Sequence, residues 1–138
     1  MHRSARFHVS QRSTVTTAPE LLATCWTTAG TALPLPGRSR SPLPLAEHIA
    51  AAAAGGWRGF GLVHADLDAF LQGHTLGDLR QLLETHGIEH LELELIENWW
   101  ADDERRPGSH LVRRELFAAG EVLGPDDQGG PGDHGSPC

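Results

Sequence analysis

Two rhythms of apolar residues alternate along the chain between Leu21 and Leu123. Leu21-Leu22-Ala23-Thr24-Cys25-Trp26-Thr27 is a short run of strand formers bounded by Gly30 and the Pro34/Pro36 turn region, and predicts a first strand. Pro44 suits a first helical turn. Leu45, Ile49, Ala52 and Ala53 then keep one face apolar until Gly55-Gly56, which predicts a first helix. Gly59-Phe60-Gly61-Leu62-Val63-His64 predicts a second strand whose glycines allow close backbone packing. Thr75 with Asp78 three positions on forms a capping-box pattern, and Leu76, Leu79, Leu82 and Leu83 give a helical stripe that ends at Gly87. His90-Leu91-Glu92-Leu93-Glu94-Leu95-Ile96 alternates with period two, as a third strand does. Ser109 is placed to cap a last helix carrying Val112, Leu116, Ala119 and Leu123, closed by Gly124 and Pro125.

The order βαβαβα with helical connections implies parallel strands joined by right-handed crossovers. The fold class is therefore α/β, and both a doubly wound sheet and a barrel accommodate it. In either architecture the loops after the strands converge at the carboxyl ends, so chemistry belongs there. The residues concerned are Trp26, His64, Asp66, Glu94, Glu97, Trp99 and Trp100.

Composition narrows the partners. The chain has 138 residues and a net charge of -7, and no apolar run approaches the roughly 18 residues of a membrane span. Residues 1–40 carry five arginines against one acid, Glu20, whereas residues 41–138 carry six arginines against seventeen acids. So acidic a body disfavours nucleic acid and anionic lipid alike. Cys25 and Cys138 are too few for a disulfide scaffold and lack the spacing of a zinc knuckle, which fits a reducing, cytoplasmic setting. Residues 1–19 combine Arg3, Arg6 and Arg12 with Ser and Thr and show no apolar periodicity, so they read as a disordered extension outside the fold. Residues 125–138, PDDQGGPGDHGSPC, have nothing aliphatic or aromatic to bury and read as a disordered tail.

Strand three carries the most chemistry. If Leu91, Leu93 and Leu95 face the helices, period two sends Glu92 and Glu94 to the opposite face. In a barrel that face is the interior, where carboxylates are costly unless paired or bound to metal; in an edge strand it is solvent. His64 with Asp66 two residues later reads either as a substrate hydrogen-bonding pair or as an imidazole steered by a carboxylate. Trp26, Trp99 and Trp100 either wall a sugar-sized pocket by stacking or close the core.

Three stretches, SPLPLAEHIAAAAAGGWRGFGLVHADL, HLELELIENWW and ERRPGSHLVRRELFAAGEVLG, together resemble the first three βα units of the sugar phosphate isomerase/epimerase family, the xylose isomerase-like TIM barrels. The resemblance covers residues 20–124 and rests most on residues 61–67, on Leu91-Glu92-Leu93-Glu94, and on Glu104-Arg105-Arg106 with Ser109 and Arg113-Arg114-Glu115-Leu116. It implies part of a (β/α)8 barrel whose rim binds a divalent cation (Mn, Mg or Zn) and a small sugar or polyol, for aldose-ketose isomerisation or epimerisation. His64 then stands as substrate partner or general acid/base, Glu94 as a carboxylate near the metal, and Trp26, Asp66 and Trp99 as substrate-binding residues.

The chain departs from that family after Gly124, where a fourth strand is expected and the Gly/Pro-rich tail begins. The later strands carry most of the family's metal ligands, and a complete barrel takes about 250 residues. The expectation is a truncated or frameshifted fragment, inactive alone and not itself binding the metal, with open sheet edges prone to self-association. An apurinic endonuclease-like phosphodiesterase of the same fold is the main alternative, disfavoured by the acidic body. The other is a non-catalytic half-barrel completed by a partner.

Overall fold

The computed structural model describes residues 19–35 and 37–124. Eight elements follow one another: β1 (Leu22–Ala23), α1 (Cys25–Thr28), α2 (Leu45–Ala54), β2 (Gly59–Val63), α3 (His64–Leu71), α4 (Leu76–Thr85), β3 (His90–Glu94) and α5 (Arg106–Leu123). The fold is mixed α/β, with one three-stranded sheet in the order β1-β2-β3 and both pairings parallel. None of the described helices is long and apolar enough to cross a membrane.

Register assigns the two faces. Phe60 and Leu62 align with Leu91 and Leu93, and Ala23 aligns with Phe60, so these five side chains share one face. Against them pack Leu45, Ile49 and Ala52 of α2, Leu67 of α3, Leu79 and Leu83 of α4, and Leu116 and Ala119 of α5. Phe60, Ile49 and Leu79 are essentially without solvent contact, and burying each such side chain stabilises the fold by about 1.5–3 kcal/mol. The opposite face carries Leu22, Gly59, Gly61 and Val63 beside His90, Glu92 and Glu94. Leu22 and Val63 apart, it is small and polar where the first is large and apolar.

The predicted strands at Gly59 and His90 and the predicted helices at Leu45 and Leu76 form as the hydrophobic pattern requires. Three boundaries differ. The strand expected over Leu21–Thr27 stops at Ala23, and Thr24 starts the single helical turn α1, with Thr27 N–H donating to Thr24 O at 2.9 Å. Gly61 permits that turn: a Cβ there would lie 2.7 Å from the Cys25 nitrogen and 3.0 Å from Thr24 Cα. Second, the strand expected to run through His64 ends at Val63, and His64 opens α3, an element the sequence pattern did not reveal. Leu67 and Phe70 anchor it at helical spacing, and Asp66 lies in its first turn, where a carboxylate opposes the helix dipole favourably. Third, Ser109 does not cap α5. The helix begins at Arg106 with Pro107 in its first turn, and Ser109 is buried inside it. The disordered segments expected at 1–19 and 125–138 lie, apart from Pro19, outside the described residues.

Candidate functional site

The carboxyl ends of β2 and β3 open onto a cavity of about 320 Å³, with His64, Glu97, Asn98, Arg105, Gly108 and Ser109 among its lining residues. Each side chain arrives for a local reason. His64 is the first residue of α3, directly after the last paired residue of β2. Asn98 sits in the turn after β3 with φ 55, a left-handed conformation that asparagine tolerates. Arg105, Gly108 and Ser109 come from the start of α5, where Arg105 is fixed by a fork of hydrogen bonds to Asp103: Nε to both carboxylate oxygens and Nη2 to Oδ2 at 2.7 Å.

His64 is oriented from α5. Its Nε2 lies 2.5 Å from Glu115 Oε2, with His64 largely shielded and Glu115 more open. A carboxylate on one ring nitrogen holds the imidazole in one tautomer and leaves the other nitrogen for exchange. Glu115 is 51 positions away in the sequence, and only its place in the stretch RREL marked it.

Asp66 does not join His64. Its side chain is buried and accepts the Ser41 backbone N–H at 2.8 Å on Oδ1. Ser41 Oγ in turn lies 2.6 Å from His48 Nε2, donates to Ala29 O at 3.1 Å and accepts from Leu43 N–H at 3.0 Å. A serine, a histidine and an aspartate thus meet, yet the arrangement is not a nucleophilic triad. Asp66 binds the serine backbone N–H in place of the imidazole, so no carboxylate orients His48 as a triad base requires. The trio ties α1, α2 and α3 together. Burial pushes the Asp66 carboxyl up, against the Ser41 N–H and the nearby His48 and Arg40, and burial pushes the His48 imidazole down.

Glu94 points to the other face of the sheet from His64. One of its oxygens, Oε2, takes a long contact from Cys25 Sγ at 3.6 Å, and the other, Oε1, is buried with no hydrogen-bond partner among the described residues. It lies over Gly61, where a Cβ would stand 2.5 Å away. The Cys25 thiol is pushed up to about 12 by burial first and by the Glu94 carboxylate second, so it stays protonated at neutral pH. The structure therefore separates the two expected catalytic residues: His64 pairs with Glu115 on the helix side, Glu94 with Cys25 on the small, polar side. Alternation along the strands is the cause, because Glu94 is in register with Val63 and the next residue, His64, turns the opposite way.

The indoles stand outside this cavity. Trp99 is 70% exposed and edge-on to Trp100, with ring centroids 5.6 Å apart, and Trp26 is half-buried in α1.

No family model, curated protein or solved structure matches the chain. A divalent cation needs several donors within a few ångströms of one another, and at this rim Glu94 Oε1 is one unpartnered carboxylate oxygen. Among the described residues, the one trio of suitable donors is Glu20, Glu89 and His90, exposed at the opposite, amino end of the sheet. There Glu20 pairs with His90 and Glu89 with Arg58. The described rim residues do not amount to a metal cage.

Proposed function

We propose that residues 20–124 are three βα units of a xylose isomerase-like barrel, contributing the His64 side of a site for a small sugar or polyol in an isomerase or epimerase reaction. Support comes from the sheet. Its parallel strands run in sequential order, the side chains of α2 to α5 all pack on one face, and the other face, met by the single turn α1 over Gly61, carries Leu22, Val63, two glycines, His90 and two acids. A doubly wound sheet needs apolar side chains on both faces, whereas a barrel interior near its rim tolerates polar groups.

In this reading His64, held by Glu115, moves a proton between the carbon beside a carbonyl and the neighbouring oxygen, the step that interconverts aldose and ketose through an enediolate. Glu97 and Asn98 offer hydrogen-bonding partners for sugar hydroxyls at the cavity. Glu94 faces the other side of the sheet, toward Cys25, and stands outside the His64 cavity. With no donor cage at the rim among the described residues, the chain binds the sugar without turning it over.

The test is NMR titration of the chain with neutral pentoses, hexoses and their polyols, with and without Mn²⁺. Saturable shifts of the His64 and Glu115 signals, abolished in His64→Gln, are expected, with no ketose formed. Signals unmoved by every sugar and polyol would overturn the proposal.

A further inference from the structure

The start of α5 holds two polar groups that the proton-transfer chemistry does not use. Ser109 is 8% exposed, lines the His64 cavity, and its hydroxyl has no hydrogen-bond partner among the described residues. A buried serine inside a helix ordinarily bonds back to a carbonyl of the preceding turn. Here only its backbone N–H does so, to Arg105 O at 3.2 Å. The second group is the Gly108 N–H. Arg106 N–H is satisfied by Asp103 O at 3.1 Å and Pro107 has no N–H, but Gly108 N–H meets no acceptor among the described residues. Space beside it is open, since a Cβ built on Gly108 would touch nothing within 4 Å.

We propose that the Ser109 hydroxyl and the Gly108 N–H form an oxyanion subsite of the His64 cavity, which takes the carboxylate or phosphate group of a small polyhydroxylated ligand. Both groups donate, and both stand at the amino end of an 18-residue helix, where backbone dipoles favour negative charge. Arg105 lines the same cavity with Nη1 outside its fork to Asp103. Glu97 is the one acid in the lining and is exposed. A neutral hydroxyl oxygen accepts from such donors only as a neutral partner, whereas an oxyanion accepts from both in charge-assisted hydrogen bonds that are about twice as strong.

The subsite shares its cavity with the isomerase reading but does not depend on that chemistry, and its test uses different ligands. Amide spectra of the full chain are titrated with sodium acetate and, separately, inorganic phosphate, at constant ionic strength made up with chloride. Saturable shifts centred on Gly108 and Ser109 are expected, and whichever anion produces them identifies the ligand group. Ser109→Ala, which removes only the hydroxyl, should weaken binding about tenfold, the loss of one charge-assisted hydrogen bond. Gly108→Asp puts a competing carboxylate at a helix start that welcomes it, so the fold is kept and anion binding is lost. The proposal is overturned if neither anion moves these amides beyond chloride, or if Ser109→Ala binds as the parent does. Neutral polyols that shift His64 while both anions fail would leave the isomerase reading standing and remove this one.

Discussion

At the scale of single residues, Gly61 decides more than any other position on the sheet. Glu94 Oε1 and the Cys25 nitrogen both occupy the space a side chain would need, at 2.5 and 2.7 Å. The carboxylate can swing away; the backbone nitrogen cannot without undoing α1. Gly61→Ala should therefore destabilise the fold by about 1–3 kcal/mol, the usual cost of overpacking, measured by urea denaturation. An unchanged midpoint would mean that α1 does not rest on the sheet. Cys25 gives a second prediction, of definite sign. Its thiol stays protonated up to about 12 in the folded chain, against 9.0 when free. Above pH 9 the unfolded chain loses a proton that the folded chain keeps, so the stability this thiol contributes is intact below pH 9 and drains away toward pH 12. Cys25→Ala should flatten that alkaline slope. In a Cys138→Ser background the native thiol should resist alkylation at pH 8 and react once urea is added; rapid native labelling would contradict its burial.

At the scale of elements, legibility followed local chemistry. α4 was readable because its start is chemically closed: Asp78 N–H donates to Thr75 Oγ1 at 3.1 Å while Thr75 N–H donates to Asp78 Oδ2 at 2.7 Å. Thr75→Ala should cost about 1 kcal/mol, as loss of a helix cap does, seen as a lower urea midpoint with an unchanged slope; a larger loss would show that Thr75 also supports tertiary packing. α3 leaves no mark in the pattern because its eight residues follow β2 without a turn signal, and only Leu67 and Phe70 mark its buried side. The pattern puts the start of α5 too late because Ser109 has a good cap's chemistry, whereas Pro107, three residues after Glu104, carries the true signal for a first turn. At the site, His64 and Glu94 were both legible as polar residues at strand ends. Their separation was not, because it depends on where β2 hands over to α3, and the partners Glu115 and Cys25 lie 51 and 69 positions away.

At the scale of the whole molecule, β3 pairs on one side only among the described residues, and Leu95, Trp99 and Trp100 stand exposed just beyond its end. An uncovered parallel edge with apolar groups beside it is a template for another strand. We predict that the chain associates with a second copy through this edge. Charge sets how that association responds to salt. Each copy carries -7, so two copies repel over distances beyond the contact itself, and raising the ionic strength shortens the repulsion to a few ångströms while leaving burial of the indoles untouched. Dimer formation should therefore strengthen with added sodium chloride, the opposite of what an interface held by ion pairs would do. Sedimentation velocity across a salt series reads this directly. Replacing Trp99 and Trp100 together by Ser should return the chain to monomer at every salt concentration, since both indoles lie outside the core and their loss leaves the fold intact. A parent chain that stays monomeric throughout, or a dimer that dissociates as salt rises, would show that the β3 edge is not where copies meet.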